Sequence, residues 1–417
     1  MRIGFAGLGR MGASMAERLA SLGGRLTIWN RSPEKAAAVA ASTGAIVAAT
    51  PALLAASSDI VVTMLADDDA SSAVHLGTDG LFAGAAGALT VVEMGTVSPA
   101  HIAALDAAAP QGVRVVDAPV SGATEAAING ALTIMVGAPP GDTAALEPLF
   151  RAMGHHTIHL GALGHGAVMK LSVNGLLHAI NGAFCEAVCL AENAGITTEK
   201  AFEVIESSAA CAPMLKYRKP IYLGERQEPM FALRLARKDM DILLRLAAEH
   251  GAPARFAALV RNRLAAAEAA GAGERDMAAL LELYERPANI FVASFLGSPA
   301  MNFLKGRLAD DGGPALVLDD RHALRLHAHH RAGADETVVM GIRPHDVVED
   351  EAGGTEATIL LVEPTGADTH VTVELAGSRL TCVLPAHFDK VVGDRIKLSF
   401  ATPKAHFFHA HTKTRLD

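Results

Sequence analysis

Arg2-Ile-Gly-Phe-Ala6-Gly7-Leu-Gly9-Arg-Met-Gly12-Ala-Ser14-Met-Ala-Glu-Arg-Leu19 is the stretch whose reading decides the fold. Arg2–Ala6 has the composition of a short strand, and Ser14–Leu19 opens a helical pattern. Between them Gly7, Gly9 and Gly12 stand in GxGxxG spacing. The first glycine permits a tight turn, the second lets backbone approach a pyrophosphate, and the third allows the helix to pack closely on the strand. The helix N-terminus then offers free N–H groups and a positive dipole end to phosphate. This turn predicts a dinucleotide site.

Working outward, further β-rich runs follow at Arg25–Trp29, Ile60–Met64, Leu89–Glu93, Arg114–Asp117 and Leu132–Val136, most of them separated by Ala-rich helical patterns. That alternation predicts a doubly wound parallel sheet, a Rossmann domain over residues 1–163. The second run ends Trp29-Asn30-Arg31-Ser32, with Lys35 close behind. A site selective for NAD usually carries Asp or Glu here, accepting from the ribose 2′-hydroxyl. Asn30 stands there instead, and the Arg31 guanidinium can grip a 2′-phosphate through its planar fork. The expected cofactor is therefore NADP(H), with NAD as the weaker alternative.

From Gly166 to about Ala279 the pattern is helical throughout, with breaks expected at Gly195, Pro213, Pro220 and Gly251. From about Pro314 short alternating runs appear (Glu336–Ile342, Ala357–Val362, His370–Leu375, Arg395–Phe400), which predict a small all-β domain. The domains expected are thus 1–163, 164–282 and 283–417. A net charge of −9 speaks against a general nucleic-acid binder, which needs clustered Lys and Arg. Cys185, Cys189, Cys211 and Cys382 form no CxxC pair, as suits a reducing compartment. The apolar stretch 167–191 contains Lys170, Asn174, His178, Asn181 and Glu186, so a buried helix is expected there and no membrane insertion. The address expected is the cytoplasm.

Three more segments carry chemistry: Asp117-Ala-Pro-Val-Ser121-Gly122-Ala123, Gly164-His-Gly-Ala-Val-Met-Lys170-Leu-Ser-Val-Asn174, and Phe231 with Arg237-Lys238-Asp239. With the GLGRMG turn they resemble, over about residues 1–282, the β-hydroxyacid dehydrogenase family. That family includes 3-hydroxyisobutyrate dehydrogenase and the glyoxylate/succinic semialdehyde reductases, and the Trp-Asn-Arg-Ser segment looks most like the latter branch. The resemblance implies an oligomeric oxidoreductase acting on a small carboxylate-bearing aldehyde or hydroxy acid. It implies cofactor contacts from Gly7, Leu8, Gly9, Arg10, Met11, Gly12, Asn30, Arg31, Lys35, Leu65, Thr96 and Lys238. Ser121, Gly122, Lys238 and Phe231 would bind substrate, and Lys170 and Asn174 would be catalytic. The chemistry suits these types. A lysine inside an apolar helix is costly unless used, and desolvation lowers its pKa toward neutrality. It can then give a proton to a carbonyl oxygen and stabilise the growing negative charge. Asn174, four residues on, shares its helix face. The chain departs from the family at Ala123, where a glycine is usual, and at Val173, where an asparagine often stands.

Tyr284-Glu-Arg-Pro-Ala-Asn-Ile-Phe-Val-Ala-Ser-Phe-Leu-Gly-Ser-Pro-Ala-Met-Asn302, Gly341-Ile-Arg-Pro344 and His406-Phe-Phe-His-Ala-His411 resemble the C-terminal part of sugar-importer ABC ATPases. That likeness implies an OB-like β domain over about 283–417, whose role is open between dimerisation, contact with a transporter and none. No GxxxxGK[ST] loop occurs, so no ATPase activity is expected. His327, His329, His330, His406, His409 and His411 are read as strand and loop histidines, with no metal. Two other functions compete with the reductase: a silent dehydrogenase fold acting as a regulatory subunit through the tail, and an imine reductase.

Overall fold

In the computed structural model, residues 1–417 are described except 24, 227, 286–289, 296–298, 311–312, 320–321, 328–334 and 417. The chain divides into two units, Met1–Ile180 with Leu235–Ala258, and Asn181–Arg234 with Leu259–Asp417.

The first unit begins with β1 (Ile3–Ala6), α1 (Arg10–Ser21), β2 (Leu26–Trp29), α2 (Pro33–Thr43) and β3 (Ile46–Val47). There follow α3 (Pro51–Ala56), β4 (Ile60–Thr63), α4 (Asp68–Leu76), β5 (Leu89–Glu93), α5 (Pro99–Ala108) and β6 (Val113–Asp117). The strands form one parallel sheet in the order β3-β2-β1-β4-β5-β6, the Rossmann order. Every residue of β4 and β5 is buried, as a sheet covered on both faces requires. Alternate residues serve two cores: Phe5, Ile60, Val62 and Val92 join Met15, Leu19 and Ile28 of one, while Ala6, Val61 and Val91 join Leu54 and Leu81 of the other.

Then come β7 (Val120–Ser121), α6 (Thr124–Ile128), β8 (Leu132–Val136), α7 (Pro140–Thr143), α8 (Glu147–Met153) and β9 (Gly154–His159). Leu132–Val136, expected in the main sheet, lies instead in a separate sheet ordered β7-β8-β9. A bridge between Asp117 and Gly137 joins the two sheets. The first helix starts at Arg10, one turn before Ser14, and takes in Gly12, which packs against the Gly7 carbonyl.

The long helix α9 (His165–Asn193) follows, then α10 (Thr198–Ser207), α11 (Pro213–Tyr222), α12 (Leu233–Glu249) and α13 (Arg255–Ala267). The division between units falls inside α9, after Ile180. Much of α12 groups with the first unit, where Leu243 and Met240 close on Gly175 of α9. Gly195 and Gly251 take positive φ just past helix ends, and Pro213 opens α11. Pro220 is no break: it sits inside α11, near its C-terminal end.

Two further helices, α14 (Leu280–Glu285) and α15 (Ile290–Phe295), lead into the β tail. Its strands are β10 (Asn302–Asp310), β11 (Pro314–Val317), β12 (Ala323–Arg325), β13 (Thr337–Ile342) and β14 (Val347–Glu349). They continue as β15 (Thr355–Pro364), β16 (Asp368–Leu375), β17 (Ser378–Pro385), β18 (Arg395–Phe400) and β19 (His406–His409). Two five-stranded sheets, β12-β11-β10-β13-β19 and β14-β18-β15-β16-β17, share one apolar core that includes Leu304, Val338, Val373, Leu398 and Phe407. The β structure thus begins at Asn302 rather than about Pro314.

Candidate active site

The glycine turn is built for a phosphate. Gly7 has φ +96°, and a Cβ on it would lie 2.4 Å from the Met64 carbonyl oxygen. A Cβ on Gly12 would lie 1.9 Å from the Gly7 carbonyl oxygen, so only glycine lets α1 pack this close to β1. A Cβ on Gly9 would meet nothing within 4 Å. The space beside Gly9 is therefore an open cradle, not a packed turn. Gly9 caps α1 without a side-chain hydrogen bond and no acid stands in its first turn, so the N–H groups after it remain for an anion. Arg10 is exposed and Met11 half-buried there, while Leu8 and the half-buried Leu65 pack around Gly7.

Asn30 faces this turn. Its Oδ1 accepts from the Leu8 N–H at 2.8 Å and its Nδ2 donates to the Ser32 carbonyl at 3.0 Å. Its amide is spent on stapling the end of β2 to the glycine loop. Arg31 and Lys35 are exposed and, among the described residues, form no ion pair. These residues fit a dinucleotide: a bare cradle, a helix terminus and two uncommitted cations.

Lys170 lies in the second turn of α9 and is half-buried as a residue. Burial of its ammonium pulls its pKa from 10.5 down to about 8; Asp239 opposes the shift and Lys238 adds to it. Asn174, one turn on, is buried and donates from Nδ2 to Asp239 Oδ2 at 2.6 Å. Asp239 on α12 is fully buried, and its Oδ1 stands 3.1 Å from Lys238 Nζ. Lys238 also donates to the carbonyls of Ala66 (2.7 Å) and Thr96 (2.6 Å), in the loops that follow β4 and β5. Lys170, Asn174, Lys238 and Thr96 are thus brought together, with Asp239 at the centre of their charges. Sequence reading passed over Asp239, because a charged run Arg237-Lys238-Asp239 resembles a solvated face. It also assigned no role to Glu93. That carboxylate is fully buried under the turn holding Thr96, accepting from the Gly95 N–H (3.0 Å) and the Ser71 hydroxyl (2.8 Å). Burial holds it above the usual carboxylate range. An acid closing the apolar run Leu89–Val92 was the available signal.

Ser121 ends the short strand β7, where it pairs with Thr133. It is half-buried, and the exposed Gly122 beside it has φ +140°, with Leu132 and Ala126 blocking any Cβ. Phe231 belongs to the second unit, where its N–H donates to Asp276 Oδ2 at 2.9 Å. A cavity of about 520 Å³ in that unit is lined by Tyr222, Arg226, Arg275, Asp276 and Glu282, among others, and by none of the residues singled out in the sequence. Of the histidines, His329 and His330 lie outside the described residues. Among the described residues no three His, Cys, Asp or Glu converge as a metal would need.

A family profile described as the NAD binding domain of 6-phosphogluconate dehydrogenase matches residues 2–161. Another, described as NAD-binding of NADP-dependent 3-hydroxyisobutyrate dehydrogenase, matches residues 164–284. Over 286 residues the chain is 30% identical to glyoxylate/succinic semialdehyde reductase 1 of Arabidopsis thaliana, covering 68% of this chain and 98% of the relative. The chain belongs to the 3-hydroxyisobutyrate dehydrogenase family. It is accordingly an NAD(P)-dependent oxidoreductase. The solved structure of Mycobacterium tuberculosis 3-hydroxyisobutyrate dehydrogenase with L-serine superposes with a TM-score of 0.60 at 27% identity, over 67% of this chain and 98% of that one.

The tail of the chain is similar to part of a transporter ATPase. A MalK OB fold profile matches residues 297–347 and a TOBE domain profile residues 340–408. Over 141 residues the tail is 39% identical to the uncharacterized ABC transporter ATP-binding protein y4oS of Sinorhizobium fredii, spanning 38% of that relative's length. By length and composition alone, α9 could cross a membrane. It nevertheless buries Asn174, His178 and Asn181.

Proposed function

We propose that the first two-thirds of the chain reduces a short carboxylate-bearing aldehyde or 2-oxo acid to its hydroxy acid with NADPH, Lys170 supplying the proton. The single observation that carries this reading is an enclosed lysine amine, with a pKa of about 8, in a cluster that also holds Asn174, Lys238 and the Thr96 loop. Bound NADPH supplies the hydride; Gly9, the first turn of α1, Arg31 and Lys35 would hold it. The Lys170 ammonium donates its proton to the carbonyl oxygen and stabilises the negative charge that develops there. Asn174, anchored by Asp239, orients the amine or binds the same oxygen. The Ser121 hydroxyl and Gly122 N–H bind the carboxylate. The absence of an acid at position 30, with Arg31 exposed beside it, supports NADPH over NADH.

The division into domains 1–163, 164–282 and 283–417, a homo-oligomeric state and a cytoplasmic address belong to the same proposal. So does a transporter contact through the tail, for which the MalK-type match speaks. The test is NADPH oxidation against glyoxylate, succinic semialdehyde, tartronate semialdehyde and methylmalonate semialdehyde, repeated with NADH. Lys170→Ala should lose about 10²–10⁴-fold in turnover, the span general acid catalysis covers, while binding NADPH as before. Oxidation with none of the four substrates would favour a silent regulatory fold. Turnover surviving in Lys170→Ala would remove the lysine from the mechanism.

A further inference from the structure

Asp117 ends β6 at the edge of the Rossmann sheet and is 1% exposed. Its carboxylate is not paired with a cation among the described residues. Oδ1 accepts from the Gly164 N–H and Oδ2 from the Ala167 N–H, each at 2.8 Å. Those groups bracket the start of α9, so one carboxylate satisfies donors that the helix leaves unpaired and sets its negative charge at the positive dipole end. The socket around it is glycine. A Cβ on Gly137 would lie 2.3 Å from Asp117 Oδ1, and one on Gly166 would lie 2.7 Å from Oδ2. The Gly137 N–H also donates to the Asp117 backbone carbonyl at 2.8 Å. Residue 117 therefore ties three elements at one point: the main sheet, the end of β8 and the first turn of α9. Gly166 packs on the carboxylate, and Lys170 stands four residues later on the same helix face.

We propose that Asp117 is a positioning residue for Lys170: by gripping the first turn of α9 it fixes the helix's roll and axial register, and so where the amine lies. The inference rests on Lys170 as the proton donor but needs no contact between Asp117 and substrate. Asp117→Asn keeps the shape, yet must point an amide N–H at one of two backbone donors, which breaks half the grip. Asp117→Ser keeps only a single short oxygen.

Both variants are tested in the full chain with three readouts: kcat, NADPH affinity by fluorescence, and acetylation of Lys170 across pH, read by peptide mass spectrometry. Displacement of the amine into water should drop kcat at pH 7 by more than about tenfold, since misplacement by an ångström costs about 10²-fold. It should leave the NADPH Kd within about twofold, and raise the labelling midpoint of Lys170 by about one pH unit toward that of an ordinary lysine. Wild-type kcat with an unmoved labelling midpoint overturns the proposal. Loss of NADPH binding together with turnover in both variants overturns it too, because Asp117 would then serve folding alone. If Lys170→Ala stays active, the lysine mechanism fails separately, and the labelling midpoint still decides whether Asp117 places the amine.

Discussion

Replacing Lys170 with methionine should make the protein more stable and inactive. In the folded chain burial lowers the lysine from 10.5 to about 8, a gap of roughly 3 kcal/mol at about 1.36 kcal/mol per tenfold. The sign follows from proton counting. Between pH 8 and 10.5 the unfolded chain holds a proton on residue 170 that the folded chain lacks, so stability rises with pH across that window. Below pH 8 both states are charged and the whole penalty is present. Methionine has a similar length and carries no charge, and Asp239 keeps Asn174 and Lys238 as partners. Lys170→Met should therefore gain up to about 3 kcal/mol at pH 7, a gain that fades to nothing as pH approaches 10.5. Trp29, the only tryptophan, lies in β2 and reports the first unit. Urea unfolding followed by its fluorescence at pH 7 and pH 10 measures both stabilities. A variant less stable than the parent at pH 7, or a gain equal at the two pH values, would refute the account of a strained, enclosed ammonium.

Other expectations follow from the same geometry. Because the proton donor is the ammonium, kcat/KM for reduction should fall above about pH 8, while oxidation of the hydroxy acid should rise up to that pH; a profile flat from pH 6 to 10 excludes a lysine of this pKa. Arg31→Ala should cost NADPH about 10- to 100-fold in kcat/KM, as loss of a charge-assisted hydrogen bond does, and leave NADH nearly untouched, which paired steady-state assays measure. Gly9→Val should keep the thermal midpoint but weaken NADPH binding measured by fluorescence, since its side chain enters open space. Gly12→Ala should instead destabilise by about 1–3 kcal/mol, because its methyl meets the Gly7 carbonyl at 1.9 Å, and calorimetry separates the two.

Much of the first unit could be read from residue pattern because parallel strands buried on both faces are near-continuous apolar runs. Leu89–Glu93 coincides with β5, and Arg395–Phe400 in the tail with β18. What escaped had no such pattern. Both residues of β3 are exposed, and β9 reads Gly-His-His-Thr-Ile-His, polar enough to pass for a loop. The strand β10 does alternate, but two of its buried positions are Asn302 and Gly306, so the apolar period of two is hidden. At the site, helix spacing alone put Lys170 and Asn174 on one face. Nothing local could reveal that Asp239 is buried, or that Asp117 reaches 47 and 50 residues ahead to the start of α9. Those facts depend on how distant elements pack.

The pairing of β19 with β13 imposes an order of assembly on the tail. Phe407 and Phe408, both fully buried, reach their places only once residue 408 has been synthesised, whereas the strand they pair with, β13, is finished some sixty residues earlier. The oxidoreductase portion can leave the ribosome and fold while the final β sheet still has a raw edge. A chain that stops short of residue 406 would keep all the catalytic groups named above but display an unpaired, sticky strand, a hazard for aggregation rather than for chemistry.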